Sequence, residues 1–155
     1  MKVIDQALLE KVIIERSCTT HKGDYGRLLL LGGTYPYGGA IIMAALVAVK
    51  SGAGLVTVGT DRENIPALHN HLSEAMAFSL QDQQLLKEQL EKAEVVLLGP
   101  GLRDDVFGEN LVKQVFVNLS QNQILIVDGG ALTILARTSL SFPSNQLILT
   151  PHQKE

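Results

Sequence analysis

The sequence has no tryptophan, a single cysteine and little aromatic character, with 5% aromatic residues in a chain of 155. One thiol, Cys18, can form neither an internal disulfide nor a cysteine metal cluster, which points to a reducing compartment, the cytoplasm. A surplus of positive charge is also missing: 13 Lys and Arg stand against 16 Asp and Glu, a net charge of −3. There is then no electrostatic footprint for nucleic acid or for an anionic membrane, and neither partner is expected. No run of about 18 uncharged apolar residues occurs, so no membrane span is expected. The opening Met1-Lys2-Val3-Ile4-Asp5-Gln6 meets charge too soon for a signal peptide. What the chain has in quantity is apolar surface: 46% hydrophobic residues exclude disorder, and the length suffices for one domain with its own core.

Ile4, Leu8, Leu9, Val12 and Ile13 recur at helical spacing and predict an amphipathic lead-in helix over 4–14. Short continuous apolar runs at 27–31, 55–59, 75–80, 94–98, 124–127 and 146–149 read as strands. Helical patterns lie between them at 39–50, 62–72, 81–92, 105–119 and 131–136, with Pro66 suited to a first helical turn. Apolar strands alternating with helices imply parallel pairing, because both faces of such a sheet must be covered. The expected fold is α/β, a mostly parallel central sheet flanked by helices on both faces. The last strand runs into Thr150-Pro151-His152-Gln153-Lys154-Glu155 with no closing helix after it, so the chain reads as the front of a longer domain. Residues 1–20 form the lead-in and 21–155 the first part of a single incomplete core.

In parallel sheets ligands bind beyond the carboxyl ends of the strands. Four such ends carry unusual loops: 32–40, 99–105, 128–131 and 150–155, which should form one rim. In the first, Gly32-Gly33-Thr34-Tyr35-Pro36-Tyr37-Gly38-Gly39-Ala40, glycines before a helix allow an anion to approach the backbone, or simply allow a tight turn. It is not a Walker loop, since Gly39-Ala40 stand where Lys and a hydroxyl residue are needed, nor is it a dinucleotide G-x-G-x-x-G. Gly99-Pro100-Gly101 is a sharp strand exit. Asp128, directly after a strand, could bind Mg²⁺, orient a hydroxyl or cap the next helix. Of the histidines, His69 and His71 sit two apart on a polar helix and share no face, and nothing local gives His21 a partner. His152 follows a strand and a Thr-Pro turn on the ligand side.

Taken in order, seven segments form a series: His21-Lys22-Gly23-Asp24-Tyr25-Gly26, Gly32-Gly33, Tyr37-Gly38-Gly39-Ala40, Ser51-Gly52-Ala53-Gly54-Leu55-Val56, Leu98-Gly99-Pro100-Gly101-Leu102, Val127-Asp128-Gly129-Gly130-Ala131-Leu132 and Leu149-Thr150-Pro151-His152. The series resembles the ADP/ATP-dependent NAD(P)H-hydrate dehydratases, the YjeF-type carbohydrate-kinase domain of the ribokinase-like superfamily. The resemblance implies a ribokinase-like fold whose C-terminal part is missing. It implies repair of hydrated NADH and NADPH, with ADP (or ATP) as phosphoryl donor and Mg²⁺ as cofactor, in a homo-oligomer. Family hydrate contacts map onto Ala40, onto Gly101 or next Gly99, and onto His152, with Gly39 and Asp128 beside them. The family's catalytic aspartate belongs to a glycine-rich motif downstream of His152, so no catalytic residue and no metal ligand is assigned here.

Three departures from the family pattern stand out. Arg103 stands for a usual Gly, which should stiffen its loop and make it more cationic; Gly130 stands for a usual Asp; Gln153-Lys154 stand for Pro-Gly. Two other readings remain open at this point. One is another ribokinase-like kinase, acting on a thiazole or pyrimidine alcohol; the other is a non-catalytic nucleotide-binding fragment.

Overall fold

A computed structural model describes residues 4–13, 15–142 and 146–153. Six strands, β1 (Arg27–Leu31), β2 (Leu55–Thr60), β3 (Met76–Ser79), β4 (Val95–Leu98), β5 (Ile124–Val127) and β6 (Gln146–Leu149), make one sheet in the order β3-β2-β1-β4-β5-β6. Every pairing is parallel, in registers such as Leu28↔Val56 and Leu28↔Val95. All carboxyl ends therefore lie along one edge. The chain winds outward from β1 to β3, then crosses back to β4 and winds the other way to β6. A switch point thus lies between β1 and β4, where ligands of such sheets are received.

Helices α2 (Gly39–Lys50) and α3 (Ile65–His71) cover one face; α4 (Gln83–Lys92), α5 (Val106–Asn118) and α6 (Gly130–Ala136) cover the other. Right-handed crossovers require this division, since reversing the winding direction reverses the face. Strand alternation supplies both cores. Leu29, Leu31, Val96, Leu98, Leu125 and Val127 pack under α4, α5 and α6, whereas Leu30, Val56 and Val58 pack under α2 and α3. Each such buried side chain contributes roughly 1.5–3 kcal/mol.

The second face is only half covered. Over β4 and β5 the outward residues Val95, Leu97, Ile124 and Ile126 are only half-buried, and an apolar trough of about 380 Å³ runs between Val95, Leu97 and Ile126 and helix α2. Among the described residues no helix lies on this strip.

Local chemistry sets the helix starts. Asp82 and Asp105 accept the Leu85 and Gly108 amides at 3.0 and 2.9 Å, so α4 and α5 begin one or two residues inside the limits predicted from periodicity. The helix predicted over 62–72 is broken: Asp61 caps a 3₁₀ turn, Arg62–Asn64, and α3 starts after it with Pro66 in its first turn. The lead-in helix is α1 (Gln6–Val12), capped by Asp5, and it buries none of its residues; Ile14 lies outside the described residues. Firm attachment begins at Arg16, whose Nη2 donates to the Gly52 carbonyl at 2.6 Å while the guanidinium stacks 4.1 Å above the Tyr25 ring. His21, unpartnered in the sequence reading, has Asp24: its backbone N donates to Oδ2 at 2.9 Å and Nδ1 lies 3.4 Å from Oδ1.

Candidate functional site

The four loops singled out above follow β1, β4, β5 and β6, which are neighbours in the sheet. At the switch point the first two loops are joined backbone to backbone. Gly33 N donates to the Pro100 carbonyl at 2.8 Å, and Thr34 N to the Gly101 carbonyl at 2.9 Å. Buried Thr34 adds a clamp, donating Oγ1 to Gly101 O at 3.1 Å and accepting Arg103 N at 2.8 Å. Beneath the turn, Gly33 O accepts Thr60 Oγ1 at 3.0 Å and also Asn64 Nδ2, which itself lies 3.1 Å from Thr60 Oγ1. Thr34, Thr60 and Asn64 were not candidates in the sequence. Only the Gly-Gly-Thr start of the loop hinted at one of them.

The glycines of the rim are of two kinds. Gly99, at φ 120°, is buried, and a Cβ there would lie 1.8 Å from the Asp128 carbonyl. Gly101, at φ 65°, would place one 2.1 Å from the Tyr37 carbonyl. Both serve close backbone packing. Gly39, by contrast, is exposed, and a Cβ built on it has nothing within 4 Å. It opens α2 beside half-buried Ala40, and no side chain caps this helix. Free first-turn amides and the helix dipole favour a negatively charged group at such an end.

At the other end of the rim, Asp128 is not a helix cap. The N-cap of α6 is Gly129, and Asp128 Oδ1 instead accepts the Thr150 hydroxyl at 2.8 Å. Thr150 N also donates to the Val127 carbonyl at 3.1 Å, so the loop bearing exposed His152 is tied to β5 at two points. Ala40, Gly101 and His152 thus stand on one strand-end edge, with Gly39 on its open side and Gly99 and Asp128 holding its loops. The charge that Arg103 adds to its loop has a counter-ion in Asp105, whose Oδ2 lies 2.8 Å from its Nη2. Lys154 lies outside the described residues.

The carbohydrate-kinase family model described as NAD(P)H-hydrate dehydratase matches residues 28–155. The chain belongs to the NAD(P)H-hydrate dehydratase family. It is 88% identical over its whole length to the ADP-dependent (S)-NAD(P)H-hydrate dehydratase of Streptococcus pneumoniae, of which it covers 53%. Among solved structures it resembles a ribokinase-like superfamily protein of Enterococcus faecalis, with a TM-score of 0.89 and 39% identity over 97% of this chain and 54% of that one. It also resembles the ADP/ATP-dependent NAD(P)H-hydrate dehydratase of Bacillus subtilis, crystallised with ATP and Mg²⁺, with a TM-score of 0.76 and 32% identity over 96% of this chain and 52% of that one. The chain spans about half the length of the curated relatives it matches.

The fold is therefore ribokinase-like, and the chain is part of such a domain. The Mg²⁺ that the dehydratase family implies finds no ligand set here. Among the described residues no three His, Cys, Asp or Glu side chains come together, and Asp128 is engaged by Thr150. No helix of the described residues is long and apolar enough to cross a membrane.

The Asp128 tether has a measurable consequence. Asp128→Ala should cost only about 1 kcal/mol, the net worth of one partly exposed hydrogen bond. Amide exchange at Thr150 and His152 should nonetheless speed up several-fold, while Asp128→Asn, which still accepts from Thr150, should leave exchange unchanged. Exchange followed by mass spectrometry or NMR reads both.

Proposed function

We propose that the polypeptide carrying this chain is an ADP-dependent NAD(P)H-hydrate dehydratase, and that this half of it holds the hydrate. The observation that carries the reading is a coincidence of two independent features. Five of the seven segments that carry the family resemblance lie in the loops after four adjacent strands, at the edge where parallel sheets receive ligands.

In the proposed reaction the hydroxyl on the hydrated nicotinamide ring attacks the terminal phosphoryl group of ADP, releasing AMP and the hydroxyl proton. The carbon–oxygen bond then breaks with phosphate as leaving group. A proton lost from the neighbouring ring carbon supplies the electron pair of the restored double bond, giving NADH or NADPH. Phosphorylation is needed because hydroxide is a poor leaving group. The contribution of this chain is binding and orientation. Gly39 and Ala40 offer the uncapped start of α2 to a negatively charged group, Gly101 offers backbone at the switch point, and His152 closes the rim from the far side. None of its residues is assigned as the base, and no step is routed through Mg²⁺. On the same reading the protein works in the cytoplasm and as a homo-oligomer, for which the exposed Leu8 and Leu9 of α1 offer contact surface.

The test is recovery of 340 nm absorbance from purified NADH hydrate by the full-length polypeptide that carries this chain, with Mg²⁺ and either ADP or ATP. Recovery that needs the nucleotide, and is faster with ADP, is expected. No recovery with either nucleotide would count against the reading, and ATP-dependent phosphorylation of a thiazole or pyrimidine alcohol would replace it.

A further inference from the structure

The rim does not account for a cleft of about 210 Å³ that opens over the exits of β1, β2 and β3. Its walls carry Asp61 after β2, Ser79 and Gln81 at the end of β3, Arg103 after β4, and Phe107 in the first turn of α5. Thr34 lines it as well, so the residue that clamps Gly101 also belongs to the cleft.

The two charges in this cleft are kept apart. Asp61 is held by two amides, Glu63 N at 3.2 Å and Tyr35 N at 3.5 Å, and does not pair with Arg103. Arg103 instead leans on Asp105 through Nη2, which leaves other donors of a five-donor guanidinium for a ligand. With β1 between them, the exits of β2 and β4 lie two strand spacings apart, roughly 10 Å.

A cleft with a cation on one side, an anion on the other and hydroxyl, amide and aromatic groups between selects its ligand by exclusion. An apolar molecule would strip water from two charged groups whose hydrogen-bonding capacity the chain meets only in part. A bare anion would meet Asp61, and a metal ion would meet Arg103. A ligand carrying an anionic group at one end and hydroxyl donors at the other satisfies both walls. Guanidinium groups match phosphate oxygens in geometry as well as charge.

We propose that this cleft is a subsite for a phosphorylated ribose of the dinucleotide substrate, with Arg103 on the phosphate, Asp61 on the ribose hydroxyls and Phe107 against an apolar ring face. The assignment rests on the hydrate reading given above and names a part of the same site. Because Thr34 joins the cleft to Gly101, a ligand anchored there is held in line with the switch point.

The experiment is steady-state kinetics of NADH hydrate recovery by the full-length polypeptide carrying Arg103→Gln, Arg103→Lys or Asp105→Asn, with thermal denaturation of each. Arg103→Gln should raise KM for the hydrate about 10–30-fold, in the range of one charge-assisted contact, with kcat changed less than threefold. Arg103→Lys should recover part of that loss. Asp105→Asn, which keeps the cap of α5 but removes the ion pair, should leave KM within twofold. A KM for Arg103→Gln within twofold of the unchanged protein would overturn the subsite while leaving the dehydratase reading intact. So would an equal rise in KM for Asp105→Asn, since the ion pair and not the ligand would then be what Arg103 serves.

If the unchanged protein recovers no NADH, the dehydratase reading fails, and thermal shift with nicotinamide mononucleotide decides the subsite by itself. A shift that Arg103→Gln abolishes supports it; equal shifts, or none, overturn it.

Discussion

Gly99→Ala is expected to destabilise the protein by about 3–5 kcal/mol, the sum of a forbidden backbone conformation and an overpacked contact. At φ 120° an L side chain is strained before any neighbour is considered. The added methyl would also lie 1.8 Å from the Asp128 carbonyl and 2.7 Å from the Ala131 side chain. Neither partner can swing aside. Asp128 is fixed by its N–H bond to the Leu98 carbonyl at 3.0 Å, and Ala131 is a buried residue of α6 packed in the core. Thermal denaturation should therefore show a midpoint lowered by about 6–20 °C. A loss below about 1 kcal/mol would mean that the β4 and β5 loops are not packed backbone to backbone as described.

Thr34→Val comes next in size. The substitution keeps shape and removes one hydroxyl that serves two partners, Gly101 O and Arg103 N. Gly101 O keeps its bond from Thr34 N at 2.9 Å, whereas Arg103 N loses its acceptor beside a residue only 5% exposed. Leaving such a part-buried donor unmatched costs about 1–3 kcal/mol, so a loss of about 1–3 kcal/mol is expected. The more telling effect is on binding. Because Thr34 fixes the loop carrying both Gly101 and Arg103, KM for the hydrate should rise at least several-fold. Thr34→Ser, which retains the hydroxyl, should restore most of it. If Val and Ser behave alike, the clamp does not set the loop.

Much of this was legible in the sequence, and the reason is periodicity. Runs such as Leu28-Leu29-Leu30-Leu31 and Ile124-Leu125-Ile126-Val127 are apolar on both sides, as only strands covered on both faces require. That alone implied parallel strands with their loops on one edge. Strand order was not legible, because nothing in β1 names β4 rather than β3 as its second neighbour, and so neither was the switch point. The Thr34–Gly101 and Asn64–Gly33 bonds span 67 and 31 residues and leave no local trace. For α1 the spacing revealed which residues are apolar but not what would cover them, and among the described residues nothing buries them. Gly99 and Gly39 look alike as letters. Only the neighbouring carbonyl of Asp128, and the open space over Gly39, tell a packing glycine from one that a ligand can approach.

That difference supplies the sharpest test of the rim as a hydrate site. Gly39→Ala adds a methyl where nothing stands within 4 Å, in a helical position where alanine is the better residue by up to about 1 kcal/mol. Stability should hold or rise slightly, and any effect on ligand is then an effect of the methyl in the ligand's path. Isothermal titration of NADH hydrate into the full-length polypeptide is the measurement. A dissociation constant at least tenfold weaker is expected for Gly39→Ala, with an unchanged or higher melting temperature. Equal affinities for the two proteins would contradict a hydrate site at this rim.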